Sequence, residues 1–279
     1  MKTFPGIQPK VVKLNIDKQN QIPKIKTWTL AAIGVHLLTS FGIVCSLFAV
    51  LNVFEGNLGS AFMWLGVALF IDAIDGTLAR KIDVATFTPN INGLMMDSIV
   101  DFTNYILIPC LILVKAGYLL PNFEVCLTAI ILVVSLFSYS RISVSDDDSR
   151  YVGFPVAWNI VVVYLFILEM SQLANSVVIS IFIALKFVPL KYVHPFRTRR
   201  LRKPTLIFTG LWFVSTAVLC LNKTVALDAY VFLLANGVLA LATFYFLCLT
   251  LASGFESHGV MRQTASGVLN IKASSQKFS

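Results

Sequence analysis

The chain has 279 residues, of which 57% are hydrophobic and only 13% charged, with a mean hydropathy of +0.80. Soluble domains carry about a quarter charged residues. A cytosolic globular enzyme, a disordered tail and a secreted disulfide scaffold are therefore excluded, and an integral membrane protein is left. The net charge of +8 sits in clusters of Lys and Arg beside apolar runs. That is a topology and headgroup-binding pattern, not a nucleic-acid face.

In chain order, residues 1–27 form a basic segment in which six lysines alternate with Val11, Val12, Leu14, Ile16, Ile22 and Ile25. It reads as an amphipathic helix on the inner leaflet, limited by Pro5, Pro9 and Pro23, or else as a solvated tail. It lacks the early apolar core of a cleavable signal peptide. Eight apolar runs near the length that crosses a bilayer follow: Trp28–Phe54, Gly59–Ala79, Gly93–Leu119, Phe123–Ser140, Phe154–Met170, Leu173–Leu190, Pro204–Leu221 and Leu227–Ala252. Backbone groups in lipid need internal partners, so the expected fold is all-α, a bundle of about eight transmembrane helices over 28–252. A β-barrel would need shorter, alternating segments. Residues 253–279 form a cytoplasmic tail. The five cysteines all lie in apolar runs without a CxxC pair and read as small buried hydrophobes.

Nineteen of the 22 Lys and Arg fall on one side if the N-terminus is cytoplasmic, with only Lys115 and Lys223 near the other side and Lys186 within a span. Both termini are thus expected in the cytoplasm, beneath an inner membrane.

Four of the fourteen acidic residues, Asp72, Asp75, Asp97 and Asp101, lie at the ends of two successive spans. Unpaired carboxylates in hydrocarbon cost several kcal/mol each. Asp72 and Asp75 lie about 60° apart on one helix, and Asp97 and Asp101 about 40° apart on the next. Joined by a short loop, the antiparallel helices can bring all four together. Their mutual repulsion calls for hard divalent cations, Mg²⁺ or Mn²⁺, and the absence of His and Cys argues against zinc. Gly76 and Gly93 beside the acids would admit a ligand or a neighbouring helix. Arg80 could pair with a phosphate. Carboxylates, metals, basic residues and a membrane together suggest phosphoryl transfer on a lipid diphosphate.

The pattern Asp72-x2-Asp75-Gly76-x2-Ala79-Arg80-x12-Gly93-x3-Asp97-x3-Asp101 resembles the signature of the CDP-alcohol phosphatidyltransferase family. Those membrane enzymes use an alcohol to displace CMP. The twelve-residue spacer is longer than usual for the family and resembles that of the bacterial phosphatidylcholine synthases, which join CDP-diacylglycerol to free choline. His36-Leu37-Leu38-Thr39, Gly153-Phe154-Pro155 with Trp158-Asn159, and His194-Pro195 are similar to the same subfamily. The resemblance implies that Asp72, Asp75, Asp97 and Asp101 hold two Mn²⁺ or Mg²⁺ ions, with Asp97 and Asp101 catalytic and Asp101 the general base. It also implies that Asp72, Gly76, Ala79, Arg80 and Gly93 line the CDP pocket, that Arg141 contacts phosphate, and that a homodimer forms.

Choline has a quaternary ammonium and no N–H, so its pocket should be aromatic. Phe102, Tyr105, Tyr139, Tyr151, Phe154 and Trp158 with Asn159 are candidates, set against an ordinary interfacial aromatic belt. Arg197 and Arg200, in the Lys191–Lys203 run, serve as a topology anchor, a headgroup clamp, or both. Thr39 reads as packing. Two rivals remain: the same chemistry on serine, inositol or glycerol phosphate, and a cation-coupled transporter, which would show internal repeats and midplane breaks.

Overall fold

The computed structural model describes residues 18–140, 151–152, 157–187, 191–192, 202–223 and 225–250. Most of the N-terminal segment, the C-terminal tail, Arg141, Phe154, Arg197 and Arg200 lie outside the described residues. The helices are α1 (Lys18–Phe54), α2 (Leu58–Ile82), the single turn α3 (Val84–Phe87), α4 (Gly93–Phe102), α5 (Ile108–Lys115), α6 (Glu124–Ser140), α7 (Trp158–Leu168), α8 (Gln172–Leu185), α9 (Arg202–Asn222) and α10 (Ala229–Thr250). A two-residue antiparallel pairing, β1 (Tyr151–Val152) with β2 (Lys191–Tyr192), joins the α6–α7 and α8–α9 connections.

Each of the eight expected spans carries helix among the described residues. Five, counting Gly93–Lys115 as one, are long and apolar enough to cross a membrane, while α6, α7 and α8 are shorter apolar helices. Large side chains such as Leu37, Phe70, Leu94, Phe137 and Leu233 are exposed, as a lipid-facing surface requires. The protein is a multi-pass membrane protein.

Local chemistry sets the breaks. Asn57 caps α2 by accepting the Ser60 N–H, and Asn92 caps α4 by accepting the Met95 N–H. Between α4 and α5 the helix widens into a π turn at Thr103–Leu107, where the Ile108 N–H bonds the Thr103 carbonyl five residues back. Pro109 gives the reason. It has no N–H, and its ring would crowd the carbonyl of Tyr105 in a regular α-helix.

Five contacts fix how α1 packs against α2 and α4. The Phe48–Trp64 stack and the Thr39–Asp75 hydrogen bond run in opposite sequence directions, so α1 and α2 are antiparallel. Against α4 and the π turn that continues it the pairs are His36 with Gly93, Gly42 with Val100 and Ser46 with Asn104, a nearly constant offset that makes the helices parallel. A Cβ on Gly42 would come within 2.6 Å of the Val100 Cγ1, a stiff β-branched neighbour. Gly42→Ala is therefore expected to cost about 1–3 kcal/mol in detergent thermal unfolding. Val100→Ala in the same chain should recover much of that loss.

The main core runs from Phe102, Tyr105 and Tyr139, beside the aspartates, toward the opposite end of the bundle. Val53, Phe62, Leu65, Ile106, Ile112, Ile131, Leu165 and Ile179 meet there, with Phe62 and Phe166 centroids 4.9 Å apart. At that end Lys223 pairs with Glu169, and Lys115 lies over the Phe54 ring. α9 meets α2 through Phe70 and Phe213, and α10 meets α7 through Tyr164 and Thr243.

Candidate active site

The ends of α2 and α4 place Asp72, Asp97 and Asp101 so that one carboxylate oxygen from each lies within 4.8 Å of the others. All three are half-buried. Like charges at that range need a counter-charge, because burial strips the water that would screen them. Carboxylate oxygens without His or Cys in the group suit a hard divalent cation, so the residues present fit Mg²⁺ or Mn²⁺.

Asp75 stands outside this trio, one helical turn along from Asp72. It still acts electrostatically on Asp72, Asp97 and Asp101. At 4% exposure it is more enclosed than the other three, and its Oδ2 accepts a 2.6 Å hydrogen bond from the Thr39 hydroxyl of α1. The Oδ2 of Asp72 accepts a 2.8 Å bond from the Tyr105 hydroxyl in the π turn. The packing read for Thr39 thus includes a polar contact with an acid 36 residues away. No local pattern reveals such a partner. The only available signal is a hydroxyl on the α1 face that also carries His36.

The two glycines have different neighbours. At Gly76 a Cβ would lie 3.4 Å from an Arg80 guanidinium nitrogen, and Arg80 also reaches the Thr77 hydroxyl at 3.4 Å. The guanidinium folds back along α2 over the bare glycine, exposed and available to an anion. Ala79 packs nearby against Ala32, Val35 and Val84. At Gly93 a Cβ would come within 2.9 Å of His36 Cε1. The missing side chain therefore makes room for a buried imidazole of α1.

His36 also explains the long spacer. The Thr88 hydroxyl donates to the Val84 carbonyl, which leaves its oxygen to accept from His36 Nε2 at 2.9 Å. Asp83 takes a left-handed conformation (φ 57°) and accepts from the Thr86 hydroxyl, and Phe87 stacks on Trp28. The extra residues form one helical turn fastened to α1.

The aromatic candidates separate. Tyr139 lies edge-on to Phe102, beside Asp101, with 6.0 Å between centroids. Tyr105 turns its hydroxyl to Asp72. Trp158 is in the core at 1% exposure and donates its indole N–H to Ser135, and the adjacent Asn159 is buried.

Comparison with known proteins finds a match to the family model described as CDP-alcohol phosphatidyltransferase over residues 34–193, which runs from α1 past β2. The chain is 33% identical over 202 residues to a phosphatidylcholine synthase of Pseudomonas aeruginosa, covering 72% of this chain and 83% of that protein. It is 32% identical over 219 residues to the phosphatidylcholine synthase of Borreliella burgdorferi, covering 78% and 91%. With the protein of that name from Bradyrhizobium diazoefficiens it shares 39% over 184 residues, covering 66% and 69%.

Proposed function

We propose, from the premise that this chain belongs to the CDP-alcohol phosphatidyltransferase family, that it makes phosphatidylcholine from CDP-diacylglycerol and choline with release of CMP. The observation that carries the transfer chemistry is the convergence of the Asp72, Asp97 and Asp101 oxygens on one point. Choline as acceptor is supported by the name shared by relatives at 32–39% identity.

Asp72, Asp97 and Asp101, with Asp75 beside them, would hold two ions, Mn²⁺ or Mg²⁺. Bound there, divalent cations neutralise the diphosphate and the departing nucleotide. Arg80, over Gly76, contributes a guanidinium to the nucleotide phosphates. Asp101 takes the proton from the choline hydroxyl. The choline oxygen then bonds to the phosphorus that carries diacylglycerol, and the anhydride bond to CMP breaks with its electron pair. Tyr139 and Phe102, next to Asp101, offer ring faces to the ammonium. Arg141, Arg197 and Arg200 supply headgroup and phosphate contacts.

The site faces the cytoplasm of a bacterial inner membrane, with both termini on that side and 28–252 as the catalytic domain. The Lys and Arg distribution supports this, as does the position of Lys115 and Lys223 at the end away from the aspartates.

The test is incorporation of radiolabelled choline by purified protein in detergent with CDP-diacylglycerol and Mn²⁺. Lipid-soluble label with equimolar CMP is expected. CMP release only with another alcohol would replace choline as the acceptor. Folded protein that releases no CMP with any alcohol would overturn the transfer reading.

A further inference from the structure

We propose that Tyr105 and Thr39 are positioning residues, whose hydroxyls hold Asp72 and Asp75 in ligating rotamers and so set the affinity of the site for divalent cations. The inference rests on the transferase reading, and it moves Tyr105 from the acceptor pocket to the metal site.

A carboxylate has two oxygens. On both α2 acids one of them, Oδ2, is taken by a hydroxyl from a flanking helix, Tyr105 at 2.8 Å and Thr39 at 2.6 Å. The remaining oxygen is the one left for a cation, and on Asp72 the Asp101 carboxyl also lies within hydrogen-bonding reach. The Thr39 hydroxyl has a second acceptor within reach, the Val35 carbonyl at 3.3 Å, the ordinary back-bond of a helical threonine. Its single hydrogen goes to Asp75, where the contact is shorter and charge-assisted. Thr39 at 8% exposure and Asp75 at 4% leave no room for water to replace that donor.

Tyr105 is aimed by the backbone. The π turn offsets it from the regular spacing that follows Asp101, and the Asn104 side chain locks the turn. Asn104 is 2% exposed, donates to the Gly42 and Val100 carbonyls, and accepts from the Ser46 hydroxyl. The two donors come from two different elements packed against α2, helix α1 and the π turn, so each acid has its own tether. Such outer hydroxyls fix ligand orientation, and their removal typically weakens metal binding about 10–100-fold.

The experiment measures Mn²⁺ binding to purified full-length protein in detergent, without substrates, by the loss of the free-ion paramagnetic resonance signal. Tyr105→Phe and Thr39→Val are each expected to raise the Mn²⁺ dissociation constant about 10–100-fold. Thr39→Ser, which keeps the hydroxyl, should restore wild-type affinity and so separates lost positioning from poor folding. At saturating Mn²⁺ the choline KM of Tyr105→Phe should equal that of wild type. If Tyr105→Phe binds Mn²⁺ normally while Tyr105→Leu raises the choline KM, the ring belongs to the acceptor pocket and the proposal fails. Wild-type Mn²⁺ affinity in Thr39→Val would also overturn it. Because the binding arm uses Mn²⁺ alone, it gives its answer even if choline proves the wrong acceptor.

Discussion

Asp101→Asn is expected to lower CMP release about 10²–10⁴-fold, the usual contribution of a positioned general base. The amide keeps the size of the carboxylate and one of its oxygens, but it cannot take the hydroxyl proton. Because Asp101 lies within 4.8 Å of Asp72 and Asp97, the change also weakens cation binding. The two effects separate on titration with Mn²⁺. Asp97→Asn, which removes a ligand, should regain part of its rate as Mn²⁺ rises. Asp101→Asn should stay low. A rate within about tenfold of wild type at saturating Mn²⁺ would show that another group takes the proton.

The second large effect is expected from removal of the metal. Protein dialysed against EDTA should release no measurable CMP, and Mn²⁺ or Mg²⁺ added in excess of the chelator should restore the rate. The same treatment should lower thermal stability in detergent. Without a cation, the half-buried Asp72, Asp97 and Asp101 repel one another beside the buried Asp75. A ligand at a hundred times its dissociation constant stabilises the folded state by about 2.7 kcal/mol. Unfolding curves with EDTA and with excess Mn²⁺ should therefore differ by several degrees. Superimposable curves and an unchanged rate would together rule out a divalent ion at this site.

The aspartates were legible because helical periodicity is local: spacings of three and four put each pair on one face. The spans were legible because lipid imposes a length and a composition. Partners from distant helices were not. Thr39 has the appearance of packing until α2 sets Asp75 against it, and Gly93 leaves a ligand and a neighbouring helix both open until α1 brings in His36. Trp158 carries both an aromatic face and a buried volume, and only tertiary packing assigns it to the core. The π turn had one visible sign, Pro109 inside an apolar run. The twelve-residue spacer showed its length but not its fastening, since the Thr88 contact depends on a histidine 52 residues away.

That π turn has a consequence for the phase of the helix that contains it. Drawing the same residues between Phe102 and Ile108 into a regular α-helix, with none removed, would swing everything beyond them by about 100°. Asp97 and Asp101 would keep their station. The stretch from Ile108 to Leu113, now buried except at the partly buried Leu111, would turn partly toward lipid. The widened turn thus acts as a clutch between two halves of one membrane-crossing segment, letting the first keep the spacing chemistry needs and the second the spacing packing needs.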